Sequence, residues 1–335
     1  MTSTPAEIRR DRRTGRSSLV VPARARRPGQ DRATADAACP FCPGNEDLLP
    51  GIVWQSPEGD GADWRLRVVP NKFAVVAEDA DAPSTNGPFA RRAAVGRHEV
   101  IIEHPRHDLD LASMPPDHLR HVMAAYRTTY RRLSAMPGMR MTLLFRNHGA
   151  AAGASQQHPH AQAVALASMP PEATAERRRL RAYHRRTGGC AICDTLRRET
   201  NEGDRVVLQN DGFLAIVPFA AVAPCEVWLL PKRHRADFGD IDDDECAALA
   251  AALRDVLRRL RAALDDPPYN LAIQSAGRDA ASAPHLHWYL RLVPGTTTPG
   301  GFELGTGLAI NPSSPEADAA LLRATQTVQG LRNPG

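Results

Sequence analysis

Two histidines stand two residues apart in NHGAAAGASQQHPHAQ, from Asn147 to Gln162. On a β-strand, residues i and i+2 point to one face. His158 and His160 could therefore be two metal ligands, two catalysts, or one of each. Upstream, Cys39 and Cys42 form a CPFC pair, and His107 ends the segment HEVIIEHPRH. Downstream, Cys190 and Cys193 form CAIC, followed by His234 and by His285 in HLH. Thiolate and imidazole both suit zinc, and two of each make a closed tetrahedral set with no open position for water. The spacing predicts two structural Zn2+ sites, Cys39–Cys42–His107–His158 and Cys190–Cys193–His234–His285, with iron the other metal such sites could take.

The two sets share one frame. His107 to His158 spans 158 − 107 = 51 residues, and His234 to His285 spans 285 − 234 = 51, so an offset of 127 lays one half on the other. Under it EVIIEH, from Glu99, falls on EVWLLP, from Glu226. Leu119, Val122, Tyr126, Tyr130 and Leu133 have helical spacing. They fall on Cys246, Leu249, Leu253, Leu257 and Leu260. The strand-like runs MTLLFRN and NLAIQ follow. Each half reads as CxxC, hairpin, strand, helix, strand, loop and HxH strand. The expected class is α+β: two tandem units related by a pseudo-two-fold, with antiparallel sheets that each carry a long packed helix. The boundaries fall at residues 1–169, a charged linker over 170–189 predicted as a surface helix, and 190–335. The loop-rich region near Pro83 absorbs the unequal distance from CxxC to the first histidine, 107 − 42 = 65 against 234 − 193 = 41.

With His158 committed to metal, His160 is left for chemistry and Gln162 follows on its face. The small residues of NHGAAAGAS would let backbone N–H groups approach an anion. A nucleophilic imidazole beside a phosphate cradle points to nucleotidyl or phosphoryl transfer through a histidyl intermediate. The offset sets Gln274, Ala276, Ala280 and Ser282 against Asn147, Gly149, Gly153 and Ser155, and Tyr289 against Gln162. The second half has lost most of the cradle, which predicts one active and one structural unit, with His287 the structural counterpart of His160. His98, His104, His118, His121, His148 and His184 lack repeat partners and read mostly as surface histidines, while Cys225 and Cys246 read as core.

Composition narrows the classes. The 335 residues are 42% hydrophobic, enough for a sizeable core, and 42 basic against 38 acidic residues leave a net charge of +4. That is too mild for a nucleic-acid binder, and interleaved aromatics are absent. No apolar run nears the ~18 residues of a membrane span, and MTSTPAEIRRDRRTGR has no apolar segment behind its basic residues. Paired CxxC suits a reducing compartment. A cytoplasmic protein without membrane or nucleic-acid partners is expected.

At these residues the sequence resembles the galactose-1-phosphate uridylyltransferase family, a duplicated branch of the histidine-triad superfamily. The pattern N-x-G-x-x-x-G-x-S-x-x-H-P-H-x-Q is matched by Asn147, Gly149, Gly153, Ser155, His158, His160 and Gln162, with Ala161 where many members have glycine. The resemblance extends to Thr14, Gly15, Pro22, Arg24, Arg27 and Pro28, to VVPNKF (Val68–Phe73), and to GGFELGTGLAINP (Gly300–Pro312). It implies a ping-pong transfer of UMP from a UDP-hexose to a sugar 1-phosphate, with His160 attacking the α-phosphorus. Gln162 would hydrogen-bond the phosphoryl group. Ser155 and Asn147 would contact phosphate oxygens, Asn71 would lie near the nucleotide, and Arg24 and Arg27 could meet its phosphates. A homodimer is also implied, with Phe302 reaching the partner's site.

Departures bear on the substrate. Thr306 and Gly307 stand where hexose-specific members carry an aromatic and a glutamate, and Ser17 replaces a tryptophan. Some members bind the second metal through a glutamate, to which Glu176 would correspond, but the second CxxC favours Cys₂His₂. The double CxxC and ELGTG resemble the branch that includes ADP-glucose phosphorylase, which implies the same histidine chemistry with an adenylyl intermediate and phosphate as acceptor. A zinc-stabilised binding protein with a dead site is the alternative from a different class; the intact His160, Gln162 and glycine loop speak against it.

Overall fold

The computed structural model describes residues 6–325, apart from 13, 27–37, 59–62, 80–83, 86, 88, 278–279, 281 and 296–297. Arg27 and Pro28 lie outside the described residues. The first half contains β1 (Glu7–Arg10), β2 (Ser17–Val20), β3 (Trp54–Ser56), β4 (Leu66–Pro70), β5 (Ala90–Ala93) and β6 (Gly96–Ile102). Helix α1 (Pro116–Ser134) and strands β7 (Met141–His148) and β8 (His160–Leu166) complete it. Two helices follow, α2 (Pro171–Thr187) and α3 (Ala191–Glu202). The second half contains β9 (Val206–Gln209), β10 (Phe213–Ile216), β11 (Val227–Pro231), α4 (Asp243–Leu264), β12 (Tyr269–Gln274) and β13 (Tyr289–Pro294). Helices α5 (Gly301–Thr306) and α6 (Pro315–Ala324) end the described chain.

The fold is α+β as expected, and the antiparallel sheets of the two units join into one. Ten strands run in the order β3-β4-β6-β8-β7-β12-β13-β11-β10-β9, and the register of each pair is antiparallel. The order reads as a mirror about the β7–β12 junction, where Tyr269 faces His148 and Ile273 faces Leu144. An unpaired edge strand exposes a row of N–H and C=O groups. Joining the two inner edges removes that cost for both units at once. A small second sheet, β2-β1-β5, carries the N-terminal segment.

Helices α1 and α4 pack side by side on one face of the large sheet. Their apolar positions, among them Leu119, Val122, Tyr126, Leu249, Leu253 and Leu257, share one core. Each such side chain contributes about 1.5–3 kcal/mol by leaving water. Helix α4 starts on a capping box, Asp242 with Glu245, which satisfies two otherwise orphaned N–H groups. Polar cross-ties bind the halves: Arg131 of α1 donates to Gly239 O, and Arg127 to Ile241 O at 3.1 Å. Cys225 and Cys246 are buried in this core. Among the described residues, no helix is long and apolar enough to cross a membrane.

Candidate active site and metal centres

The first CxxC turn folds over the sheet end where β8 begins. Cys39, Cys42, His107 and His158 bring their donor atoms within 4.8 Å of one another. Cys42 Sγ lies 3.6 Å from His107 Nδ1 and from His158 Nδ1, and Cys39 Sγ lies 3.7 Å from His158 Nδ1. A tetrahedral cation with bonds of about 2.3 Å to sulfur and 2.0–2.1 Å to nitrogen sets sulfur–nitrogen edges of about 3.5 Å, so the donor set fits a metal. Nε2–H of His158 donates to His104 O at 2.7 Å, which fixes the ring with Nδ1 toward the cluster. Burial holds His158 near a pKa of about 4, so its imidazole is neutral and able to ligate. Burial also pushes the Cys39 thiol up to about 11; a bound cation reverses that preference.

The second centre corrects one ligand. The structure brings Cys190, Cys193, His234 and His287 together, not His285. Cys193 Sγ lies 3.2 Å from His234 Nδ1 and 3.5 Å from His287 Nδ1. His287 Nε2–H donates to Pro231 O at 3.1 Å, and 231 − 104 = 127 makes Pro231 the repeat of His104. The second copy has two extra residues in one loop. From His148 to His158 is 158 − 148 = 10, whereas from Ser275, the repeat of His148, to His287 is 287 − 275 = 12. Because HLH offers a histidine at both i and i+2, an ungapped frame selects the wrong one. Strand register agrees: Ile101 and Leu229 share the core beneath the helices, an offset of 128 that corrects the match of Glu99 to Glu226, and their partners Ala161 and Leu290 give an offset of 129 along the last strand.

The corrected register changes which residues occupy the corresponding site of the second copy. Tyr289, not His287, stands at the position of His160, and Arg291 at that of Gln162. Helix α2 closes this second site. Its Leu180 packs with Ala236, Ala276 and Leu286, and its Arg177 donates to Ala276 O, in the residue that repeats Gly149. His285 is buried beside His184 of α2, with no partner for its Nε2.

In the first copy the matching ground is the candidate active site. His160 Nδ1–H donates to His158 O at 2.8 Å, which puts the lone pair of the ring on Nε2. Phe41, inside the CPFC turn, packs its ring 5.3 Å from His160 and 5.9 Å from His158. The sequence reading missed this residue, and its place between the two cysteines was the only signal. Gln162 Oε1 lies 3.3 Å from Asn71 Nδ2 and 3.0 Å from His98 Nε2. His98, expected at the surface, is buried at 4% exposure. Arg24 reaches the same corner, donating to Phe73 O at 2.9 Å.

The glycine loop is less open than expected. N–H groups of Ala152, Gly153 and Ala154 already donate to Gly149 O, Ala150 O and Gly149 O. Gly149 and Gly153 have φ of +78° and +85°, so these glycines are required first by backbone conformation. Asn147 braces the loop: its Oδ1 accepts from Asn270 Nδ2 at 3.0 Å, and Asn270 also donates to Ala152 O at 2.9 Å. Ser155 is half-buried at the loop's end. Phe302 on α5 is 54% exposed, with Leu304, Leu308 and Ile310 also exposed around it. A further cluster, Asp110, His148 and Asp266, is countered by Arg261, 3.2 Å from Asp110 and 3.7 Å from Asp266.

Comparison with known proteins matches residues 3–170 to the family described as galactose-1-phosphate uridyl transferase, N-terminal domain. Residues 176–328 match the corresponding C-terminal domain. An ADP-glucose phosphorylase of Arabidopsis thaliana is 32% identical over 329 residues, covering 95% of this chain and 92% of that protein. A galactose-1-phosphate uridylyltransferase of Cryptococcus neoformans is 31% identical, covering 92% and 87%. A solved structure of an Arabidopsis thaliana ADP-glucose phosphorylase with bound ADP-glucose superposes with a TM-score of 0.77 at 31% identity, covering 95% of this chain and 98% of that one. A solved uridylyltransferase superposes with a TM-score of 0.83 at 29% identity, covering 97% and 100%.

Proposed function

Because the chain belongs to the galactose-1-phosphate uridyl transferase family, we propose that it moves a nucleotidyl group between sugar phosphates through a covalent bond to His160. The observation that carries this is the His160 Nδ1–H bond to His158 O at 2.8 Å. It fixes the tautomer, so the lone pair of Nε2 is the one available for attack. Nε2 forms a bond to the α-phosphorus of a nucleoside diphosphate sugar. The bond from that phosphorus to the bridging oxygen breaks, and the oxygen leaves with the electron pair on the sugar 1-phosphate. A second phosphate-bearing acceptor then attacks the nucleotidyl-histidine and frees the imidazole. Gln162 hydrogen-bonds the phosphoryl oxygens, and Ser155, Asn71 and Arg24 border the same ground.

In the first reading the donor is a UDP-hexose and the acceptor a sugar 1-phosphate. In the second the donor is an ADP-sugar and the acceptor phosphate. The second is favoured by the Cys₂His₂ donor set of the second centre and by similarity to the Arabidopsis phosphorylase over 95% of the chain. Zn2+ is the metal the two sets suit best; when bound it stiffens the loops that carry His158 and Phe41. The exposed apolar side chains of α5 and the segment after it suit a homodimer contact. Intact-protein mass after incubation with UDP-glucose, and separately with ADP-glucose, tests the reading. A uridylyl or adenylyl mass increment that is absent in His160→Gln supports it and selects the base. Labelling that survives in His160→Gln overturns it.

A further inference from the structure

Gln162 can help a phosphoryl group only if its amide is turned the right way, and a free glutamine amide has two nearly equivalent orientations. The surroundings of His98 settle that orientation. The backbone N–H of Val75 donates to His98 Nδ1 at 3.2 Å. A neutral imidazole whose Nδ1 accepts must carry its proton on Nε2. Asn71 Nδ2 also lies 3.0 Å from Nε2, one donor beside another, so the Nε2 proton turns to the acceptor both share, Gln162 Oε1, 3.0 Å away. Asn71 adds a second donor: its Oδ1 accepts from Phe73 N–H at 2.8 Å, so its Nδ2 faces Gln162 Oε1 at 3.3 Å. With two donors on its oxygen, the Gln162 amide is fixed with its NH₂ on the opposite side. Among the described residues nothing accepts from that NH₂.

The degenerate copy provides an independent observation. Ile101 of β6 and Leu229 of β11 hold corresponding places in the core, so His98 corresponds to Glu226, and Gln162 to Arg291. Glu226 and Arg291 form an ion pair at 2.7 Å. The two halves fill this pair of positions differently, with a neutral donor–acceptor pair in one and an ion pair in the other. The two positions act as a couple in each half.

We propose that His98 is a positioning residue that locks the Gln162 amide with its NH₂ toward the phosphoryl group on His160. This rests on the reading of His160 and Gln162 given above, and the test separates the two. His98→Phe and His98→Met remove the donor, whereas His98→Gln offers an amide N–H near the place of Nε2. The measurement is the rate of nucleotidyl-His160 formation with ADP-glucose and with UDP-glucose, alongside metal content and Tm. Loss of the donor is expected to lower the maximal rate about 10- to 100-fold, as for other small misplacements of a catalytic group. The half-saturating sugar nucleotide concentration, metal content and Tm should stay close to those of the parent, and His98→Gln should recover most of the rate. On a Gln162→Ala background, His98→Phe should add less than about 2-fold, because coupled residues are not additive. Full activity in both donor-free variants, or an undiminished penalty on the Gln162→Ala background, would overturn the assignment. Full activity of Gln162→Ala itself would instead remove the role of Gln162, and the inference with it.

Discussion

His160 and His158 are joined by one hydrogen bond, from Nδ1 of the first to the carbonyl oxygen of the second, 2.8 Å long. His158 simultaneously turns its own Nδ1 to the two cysteines and its Nε2 to His104 O. A candidate metal ligand thus sets the tautomer of the candidate nucleophile through the backbone, two residues away.

The two histidines of this pair should fail differently. His160→Gln is expected to lose covalent labelling and transfer by more than about 10³-fold, since the nucleophile itself is gone, while elemental analysis still finds both metals and Tm is unchanged. His158→Ala should lose one metal per chain and several degrees of Tm, with activity falling as a consequence. Equal metal loss in both variants would contradict the division of labour.

The second centre offers a sharper contrast between neighbours. His287→Ala should reduce the metal content from two per chain to one, whereas His285→Ala should leave it at two. The four-donor sets that predict this are the two Cys₂His₂ clusters. Metal retained in His287→Ala and lost in His285→Ala would reinstate the uncorrected frame.

A buried ion pair joins the units beneath the sheet. Arg146 Nε lies 3.0 Å from Glu103 Oε2, Tyr126 donates to Glu103, and Arg146 reaches Tyr269 Oη of the second half at 2.9 Å. Both charged residues are at most 2% exposed. Glu103→Gln leaves a buried guanidinium without a counter-charge and should cost about 3–5 kcal/mol, read from the urea midpoint. Glu103→Leu with Arg146→Met should recover much of that loss, because no charge then stays buried alone. If the single variant unfolds at the parent's urea concentration, the pair contributes nothing.

Gly96 tests the β6–β8 register that places Gln162. A Cβ there would sit 2.0 Å from Ala165 O on the neighbouring strand. Gly96→Ala should therefore destabilise by about 1–3 kcal/mol or more, as overpacking does, and should also lower the labelling rate because β8 carries His160 and Gln162. An unchanged Tm would mean that the strands are further apart than described.

Much of the site was legible in the residues. Ligand chemistry and the repeated spacing named Cys39, Cys42, His107, His158, Cys190, Cys193 and His234, all of which meet in the fold. The helical period of Leu119 to Leu133 and its repeat from Cys246 named the faces that α1 and α4 bury together. Those signals are local, set by periodicity and by the donor types a metal accepts. Tertiary structure decided what depends on register. Loop length between β12 and β13 exchanges His285 for His287, because residues two apart on a strand look alike until the partner strand is known. His98 was unreadable for the same reason: its worth comes from lying diagonally across from Gln162 on an adjacent strand, with Val75 fixing its proton. Phe41 acquires its place beside His160 only when the CPFC turn closes on a histidine more than one hundred residues later. The sequence by itself determined which atoms can bind a metal or attack phosphorus; only the packed sheet determined which of them face one another.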